Sequence, residues 1–207
     1  PVLATGLYAL SRALERGEPA DMALLLRTWT HWGVNRRSDP ASYWCLVRFG
    51  LLLALAGTGW VLTSAAFITL FSPVPIATPE DFVRHIVLSP DHFVFEAWLT
   101  MGGVLAAPVF ASSVISMPLL LDRHVNALDA VLVSWRVVLT NPVTMALWAA
   151  MLMIFTFCGF VTALLGMIVI VPMLGHASWH AYRDLVDATA IPERIAPAAP
   201  DATRVSA

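Results

Sequence analysis

Charge interrupts this chain at only a few places, and the apolar residues between those places form long uninterrupted blocks. No Asp, Glu, Lys or Arg occurs between Phe49 and Phe71, between Ala97 and Leu121, or from Val137 through Tyr182. The first two blocks each reach the roughly 20 apolar residues needed to cross a hydrocarbon core of about 30 Å. Within a bilayer every backbone N–H and C=O must be satisfied inside its own element, which leaves helices or closed barrels. The blocks run continuously apolar without alternation, so they predict helices. The expected fold is all-α, a polytopic transmembrane helical bundle in a single domain over 1–186, with about four spans of core-crossing length in this chain and short interfacial helices.

The pattern places these elements in order. Residues 1–10 (PVLATGLYAL) read as the end of an upstream apolar span running into SRALERGE, and the chain opens at Pro1 without Met. A start lacking its natural N-terminus is the expectation that follows. Residues 19–32 predict an interfacial amphipathic helix, since Met22, Leu25, Trp29 and Trp32 recur at helical spacing behind Pro19 and Asp21. A span near 44–71 starts behind the Asp39-Pro40 cap pair and the aromatic pair Tyr43 and Trp44, with Arg48 close enough to snorkel to the headgroups. A Pro-rich acidic loop leads to Ser89-Pro90-Asp91 and a second span near 93–121, in which Pro108 predicts a kink. Val125 to Leu139 carries Asp129 and Arg136 among apolar residues and fits an interfacial helix.

From Asn141-Pro142 onward the uncharged block is roughly twice the length of one crossing at about 1.5 Å per residue. Two spans near 142–158 and 161–180, meeting around Cys158-Gly159, are preferred to one long tilted helix. Residues 187–207, rich in Ala and Pro, predict a disordered tail.

Charge sets an orientation. Arg12, Arg16, Arg27, Arg36 and Arg37 cluster before the first full span, and Arg183, Arg194 and Arg204 follow the last, whereas the loop after Phe71 holds Arg84 among Glu80, Asp81, Asp91 and Glu96. Short basic flanks stay in the cytoplasm, so the N-terminal region and the C-terminal tail are both expected inside. Composition agrees with a lipid solvent: 58% of the 207 residues are hydrophobic and 13% charged, too few charges to coat a water-soluble globule. All twelve basic residues are Arg, the formal net charge is −2, and no basic tract points to nucleic acid. Cys45 and Cys158 supply neither a disulfide framework nor a metal knuckle.

Chemistry-bearing residues are sparse. Gly103, Ala107 and Ala111 form a small-residue stripe of the kind that lets helices pack closely in lipid. His176 and His180 share a helix face and are weak candidates for a metal, and His85 and His92 stand among the acids of the outer loop. Tyr43, Trp44, Trp179, Tyr182 and Arg183 have the amphipathic character of interfacial anchors, the preferred reading of the 176–183 segment. No catalytic residue, cofactor site or cofactor is expected. The spans contain no charged residue that would mark a proton relay, and no Walker loop, dinucleotide fingerprint, nucleophile elbow or haem-attachment motif occurs.

The segment GLYALSRALERGE (Gly6 to Glu18), the Trp135-Arg136 helix and PMLGHASWHAYRDLV (Pro172 to Val186) together resemble an uncharacterised family of bacterial integral membrane proteins, family 2189 of the domains of unknown function. The likeness extends to about Val186, and GHASWHAYRDL is its most specific part. The resemblance implies a bundle of about six spans of core-crossing length, two of them upstream of Pro1, in the bacterial inner membrane. Members of that family sometimes carry the label of cytochrome c oxidase subunit, although nothing here resembles the catalytic subunit of such an oxidase. The function expected on these grounds is a non-catalytic accessory or assembly subunit of an inner-membrane complex such as a respiratory-chain oxidase, with membrane lipids and other membrane subunits as partners. The alternative is a transporter, channel or lipid-handling protein acting as a homo-oligomer.

Overall fold

The computed structural model describes residues 2–30 and 40–193, and the side chains at 2–5, 27, 29, 30, 40–43 and 46 are outside that description. Every named element is helical. In chain order they are α1 (Val2–Glu15), α2 (Met22–Thr30), α3 (Pro40–Phe71), the short α4 (Pro79–Phe82) continued by a π turn over Val83–Val87, α5 (Phe93–Ser113), α6 (Ser116–Asp122), α7 (Ala127–Thr140), α8 (Pro142–Val161) and α9 (Met167–Leu185). Trp32, Asp39 and the segment 194–207 lie outside the described residues, as do the side chains of Trp29 and Tyr43.

Three stretches are long and apolar enough to cross a membrane: Val47–Phe71, Phe93–Asp122 and Pro142–Val161. The fourth expected crossing falls on α9, whose second half carries His176, His180, Arg183 and Asp184. Four spans is thus an approximate count, and length with apolarity supports three. The uncharged block is divided into α8 and α9 by a turn over Thr162–Gly166, in which Ala163 and Leu164 take positive φ of 51° and 69°. L-residues pay roughly 1–2 kcal/mol for that region, so the reversal is strained.

The second span shows how proline shapes this fold. Pro108 sits inside an unbroken helix, and the interruption falls later, at Val114–Ile115. Pro118 has no N–H for the carbonyl of Val114 and its ring crowds that carbonyl, which stops the helix one turn upstream. Serines cover the break. Ile115 N–H donates to Ser134 Oγ at 3.2 Å, Ser116 Oγ donates to the carbonyls of Ser112 and Ala130, and Trp135 Nε1 donates to Ser112 Oγ at 2.9 Å. The joint is thereby fixed against α7, and α6 is directed into the protein.

The core centres on α6, where Leu119 and Leu120 are completely buried, and gathers Tyr8 of α1, Phe49 of α3, Ala130 and Val137 of α7, Met145 of α8, and Trp179 and Tyr182 of α9. A glycine allows α1 to cross α9 closely: a Cβ at Gly175 would lie 2.7 Å from Leu7 Cδ1. Outside this centre the spans are apolar and exposed, as membrane-facing helices must be.

Within this chain the close helix contact falls one position away from the expected small-residue stripe. Gly103 and Ala107 are exposed, and a Cβ on Gly103 would meet nothing. Of the three only Ala111 is buried. The close approach of α3 and α5 is at Gly102, where a Cβ would come within 2.9 Å of Trp60 Cη2. Trp60 is held in turn by Trp98, at a centroid distance of 5.7 Å, and Trp98 Nε1 donates to Ser64 Oγ at 2.7 Å. Four-residue spacing marks a helix face without saying which face has a partner, and here the bulky aromatics choose it. Gly102→Leu is therefore expected to cost about 2 kcal/mol by overpacking, while Gly103→Leu leaves stability unchanged. Unfolding midpoints of both variants on titration with sodium dodecyl sulfate check this.

Candidate functional site

Polar chemistry concentrates at one end of the structure, where α1, α6, α9 and the segment after α9 meet. The backbone sets this up: charged residues run from Arg12 in the last turn of α1 to Glu18 just past it, α6 delivers Asp122 at its last position, and α9 brings Trp179 and, one turn on, Tyr182 and Arg183. A helical rise of about 1.5 Å per residue and about 3.6 residues per turn puts His176, Trp179, His180 and Arg183 along one side of α9.

Asp122 is the buried centre, 2% exposed. Its Oδ2 accepts from the Tyr182 hydroxyl and from Arg123 Nε, each at 2.9 Å. Its Oδ1 faces Arg12 Nη1 at 3.9 Å. A carboxylate taken out of water is tolerated where several donors replace its hydration, and Asp122 has them. Burial first, and then the charge of Asp122, push the Tyr182 hydroxyl well above its ordinary pKa, which keeps it a proton donor.

Around this centre two further carboxylates pair with cations. Glu15 accepts from Trp179 Nε1 and from Arg183 Nε, both at 3.0 Å. Glu193 accepts from Arg16 Nη2 at 2.6 Å and lies 3.4 Å from Arg123 Nη2. Arg123 Nη1 also donates to the Ile191 carbonyl, and the His124 N–H donates to the Pro192 carbonyl at 3.0 Å, so the segment behind α9 is stitched to the end of α6. Between α1 and the end of α9 a cavity of about 160 Å³ remains, lined mostly by these charged side chains.

The anchor residues expected at the headgroup layer behave in two ways. Trp44 is 45% exposed. Trp179 and Tyr182 instead turn inward, 1% and 0% exposed, because their polar tips find Glu15 and Asp122 and their rings pack on each other and on Tyr8. Arg183 stays partly exposed through its bond to Glu15. His176 and His180 stand together, with Nε2 atoms 3.2 Å apart, and His176 Nδ1 lies 2.8 Å from Ser11 Oγ. Ser11 Oγ donates to the Leu7 carbonyl, so the pair is tied into α1. Among the described residues no group of three His, Cys, Asp or Glu side chains is placed to hold a metal. In the loop after α3, Thr78 and Asp81 form a reciprocal capping box, and the Thr78 hydrogen bonds hold the Asp81 carboxyl below its usual range. His85 Nδ1 lies 3.1 Å from the Asp81 carbonyl, so this His and the acid beside it serve the local turn.

Sequence reasoning missed Arg12, Glu15, Asp122, Arg123 and Glu193 as one group. A family model described as predicted integral membrane protein (DUF2189) matches residues 1–122, more than half of the chain. The chain belongs to that family. No curated protein and no solved structure matches it. The part matched to DUF2189 ends at Asp122 and includes Arg12, Glu15 and Arg16, while the buried tyrosine and tryptophan that meet them lie beyond it.

The arrangement predicts a steep order of mutational cost. Asp122→Ala leaves Arg123 and Tyr182 buried without their acceptor and is expected to cost about 3 kcal/mol. Tyr182→Phe removes one hydrogen bond to a charged group and should cost about 2 kcal/mol. Arg84→Ala, on an exposed helix-surface pair with Glu80, should cost less than about 0.5 kcal/mol. Equilibrium unfolding in mixed micelles ranks the three.

Proposed function

We propose that this membrane protein is a non-catalytic accessory or assembly subunit of a larger complex in the bacterial inner membrane. The observation that carries the reading is how little the spans cover one another. In the most apolar window of each candidate span, 0% of the first, 39% of the second and 11% of the third is buried. Helices of that kind offer their faces to lipid and to the spans of other subunits, and small or aromatic side chains then decide which contacts become close.

The polar end supports the same reading from the other side. Its carboxylates each accept from donors on other elements, which joins helices. The apolar faces include Leu51, Leu52, Leu55 and Leu62 on α3 and Leu147, Met153 and Phe157 on α8, each more than half exposed. Both faces lie along candidate spans, where a partner's helices would meet them.

Recovery of the native protein in mild detergent, with mass spectrometry and a visible absorption spectrum of the eluate, tests this. The expected result is one or more partner subunits in stoichiometric amount, and a haem spectrum would identify the complex as a respiratory oxidase. Recovery of a colourless protein alone overturns the reading and turns attention to lipid and neutral-solute transport. For orientation, the arginine bias of the flanks supports a cytoplasmic C-terminus. A reporter fused after Ala207 is expected to be active only as a cytoplasmic fusion, and periplasmic activity would reverse that placement.

A further inference from the structure

The charged cavity is not evenly satisfied. Glu15, Asp122 and Glu193 each accept from at least one Arg guanidinium or lie in an ion pair with one, and Glu15 and Asp122 have an aromatic donor as well. Arg16, Arg123 and Arg183 are the cations so engaged. Arg12 is different. Its side chain is 18% exposed, and among the described residues its carboxylate neighbour is Asp122 Oδ1 at 3.9 Å, too far for a hydrogen bond. A guanidinium carries five N–H donors in a planar fork and finds bidentate partners in carboxylates and phosphates. Among the described residues the donors of Arg12 therefore stand beside the cavity without a strong acceptor.

Two further facts define what the space is suited to. Arg16 lies one turn beyond Arg12, just past the end of α1, and Arg183 reaches the same cavity from α9, so three cations border it beside the carboxylates Glu15, Asp122 and Glu193. Burial first, and the charge of Arg16 second, hold the Arg12 guanidinium below its ordinary pKa, although Asp122, Glu18 and Glu193 act in the opposite direction. An anion beside Arg12 relieves both effects. The volume of about 160 Å³ holds roughly five waters at about 30 Å³ each, enough for the five heavy atoms of a phosphate group. The position also fits, because Asp122 is the last residue of a candidate span, so the cavity lies at an end of that apolar stretch and not along it.

We infer that the cavity between α1 and the end of α9 is a phosphate-binding site, with Arg12 as its principal ligand and Arg16 and Arg183 at its border. The shared chemistry is a phosphate dianion or monoanion held by a guanidinium fork. A lipid phosphomonoester reaches it from the headgroup layer, and free phosphate reaches it from water. The carboxylates at its wall are occupied by their own donors and set the limit on affinity. This site is independent of which subunits the spans meet.

The full chain in a neutral maltoside detergent is the material for the test, titrated calorimetrically with inorganic phosphate, dihexanoyl phosphatidic acid and, as the phosphate-free control, dihexanoylglycerol. Saturable binding of phosphatidic acid, none of dihexanoylglycerol, and weakening by about tenfold or more in Arg12→Gln are expected, the size following from loss of hydrogen bonds between charged groups. Arg84→Gln, in the loop after α3, should bind as the wild type does. Phosphatidic acid binding much tighter than inorganic phosphate identifies the headgroup as the source, and comparable binding identifies the free anion. Failure of both probes to saturate the wild-type protein overturns the site, as does unchanged affinity in Arg12→Gln. Where Arg12→Gln does not purify folded, Arg12→Lys keeps the charge and loses the fork. A several-fold loss is then expected, and unchanged affinity overturns the role assigned to Arg12.

Discussion

One buried carboxylate organises the polar end of this protein. Asp122 is withdrawn from bulk solvent, so its position is stable while Tyr182 and Arg123 donate to it. That requirement fixes the end of α9 against the end of α6. Arg123, once held by Asp122, orients its remaining donors toward Glu193 and the Ile191 carbonyl, and so determines where the chain goes after α9. The interaction is costly to form and costlier to lose from one side, which favours a single arrangement of these helices over slipped alternatives.

Asp122 reaches that place because of a proline four residues earlier. Had the second span continued straight, its C-terminal end would have remained a lipid-facing extension of α5. Pro118 removes the hydrogen bond to Val114, the helix resets at Ile115, and serines from two helices absorb the groups released. The charge-free block behind Asn141 follows a related logic, with its reversal made by two L-residues in the left-handed region. Breaks in apolar helices are permitted in lipid only where something re-satisfies the backbone, and hydroxyls do so at the first break.

Much of the architecture was legible because lipid imposes a length and apolarity rule that a sequence displays directly. The all-helical class, the membrane setting and the spans ending near Phe71 and Leu121 all come from charge-free runs. Contacts between helices were much less legible. The stripe at Gly103, Ala107 and Ala111 has the right spacing, yet Trp60 meets Gly102, because partner choice depends on a side chain some forty residues away. Trp179 and Tyr182 have the composition of headgroup anchors and the burial of core residues. Nothing in their own neighbourhood names Glu15 and Asp122 as acceptors, since those come from more than fifty residues upstream and meet them only once α6 has turned inward.

The division of labour between the two kinds of surface follows from the cost of charge in hydrocarbon. Ionisable groups are expensive at the bilayer centre and inexpensive where water and headgroups reach, and among the described residues the buried ion pairs lie at one end. The spans carry no buried ion pair among the described residues and meet through Gly102, Trp60 and Trp98 between α3 and α5, with Trp98 donating to Ser64, while their outer apolar faces remain available to other helices. The polar end supplies the rigidity that the spans lack, fixing α1, α6, α9 and the segment behind α9 as one unit. A rigid end and open apolar faces are complementary properties: the first preserves the register in which the second are presented, and a partner that covers the faces need not reorganise the charged cluster to do so.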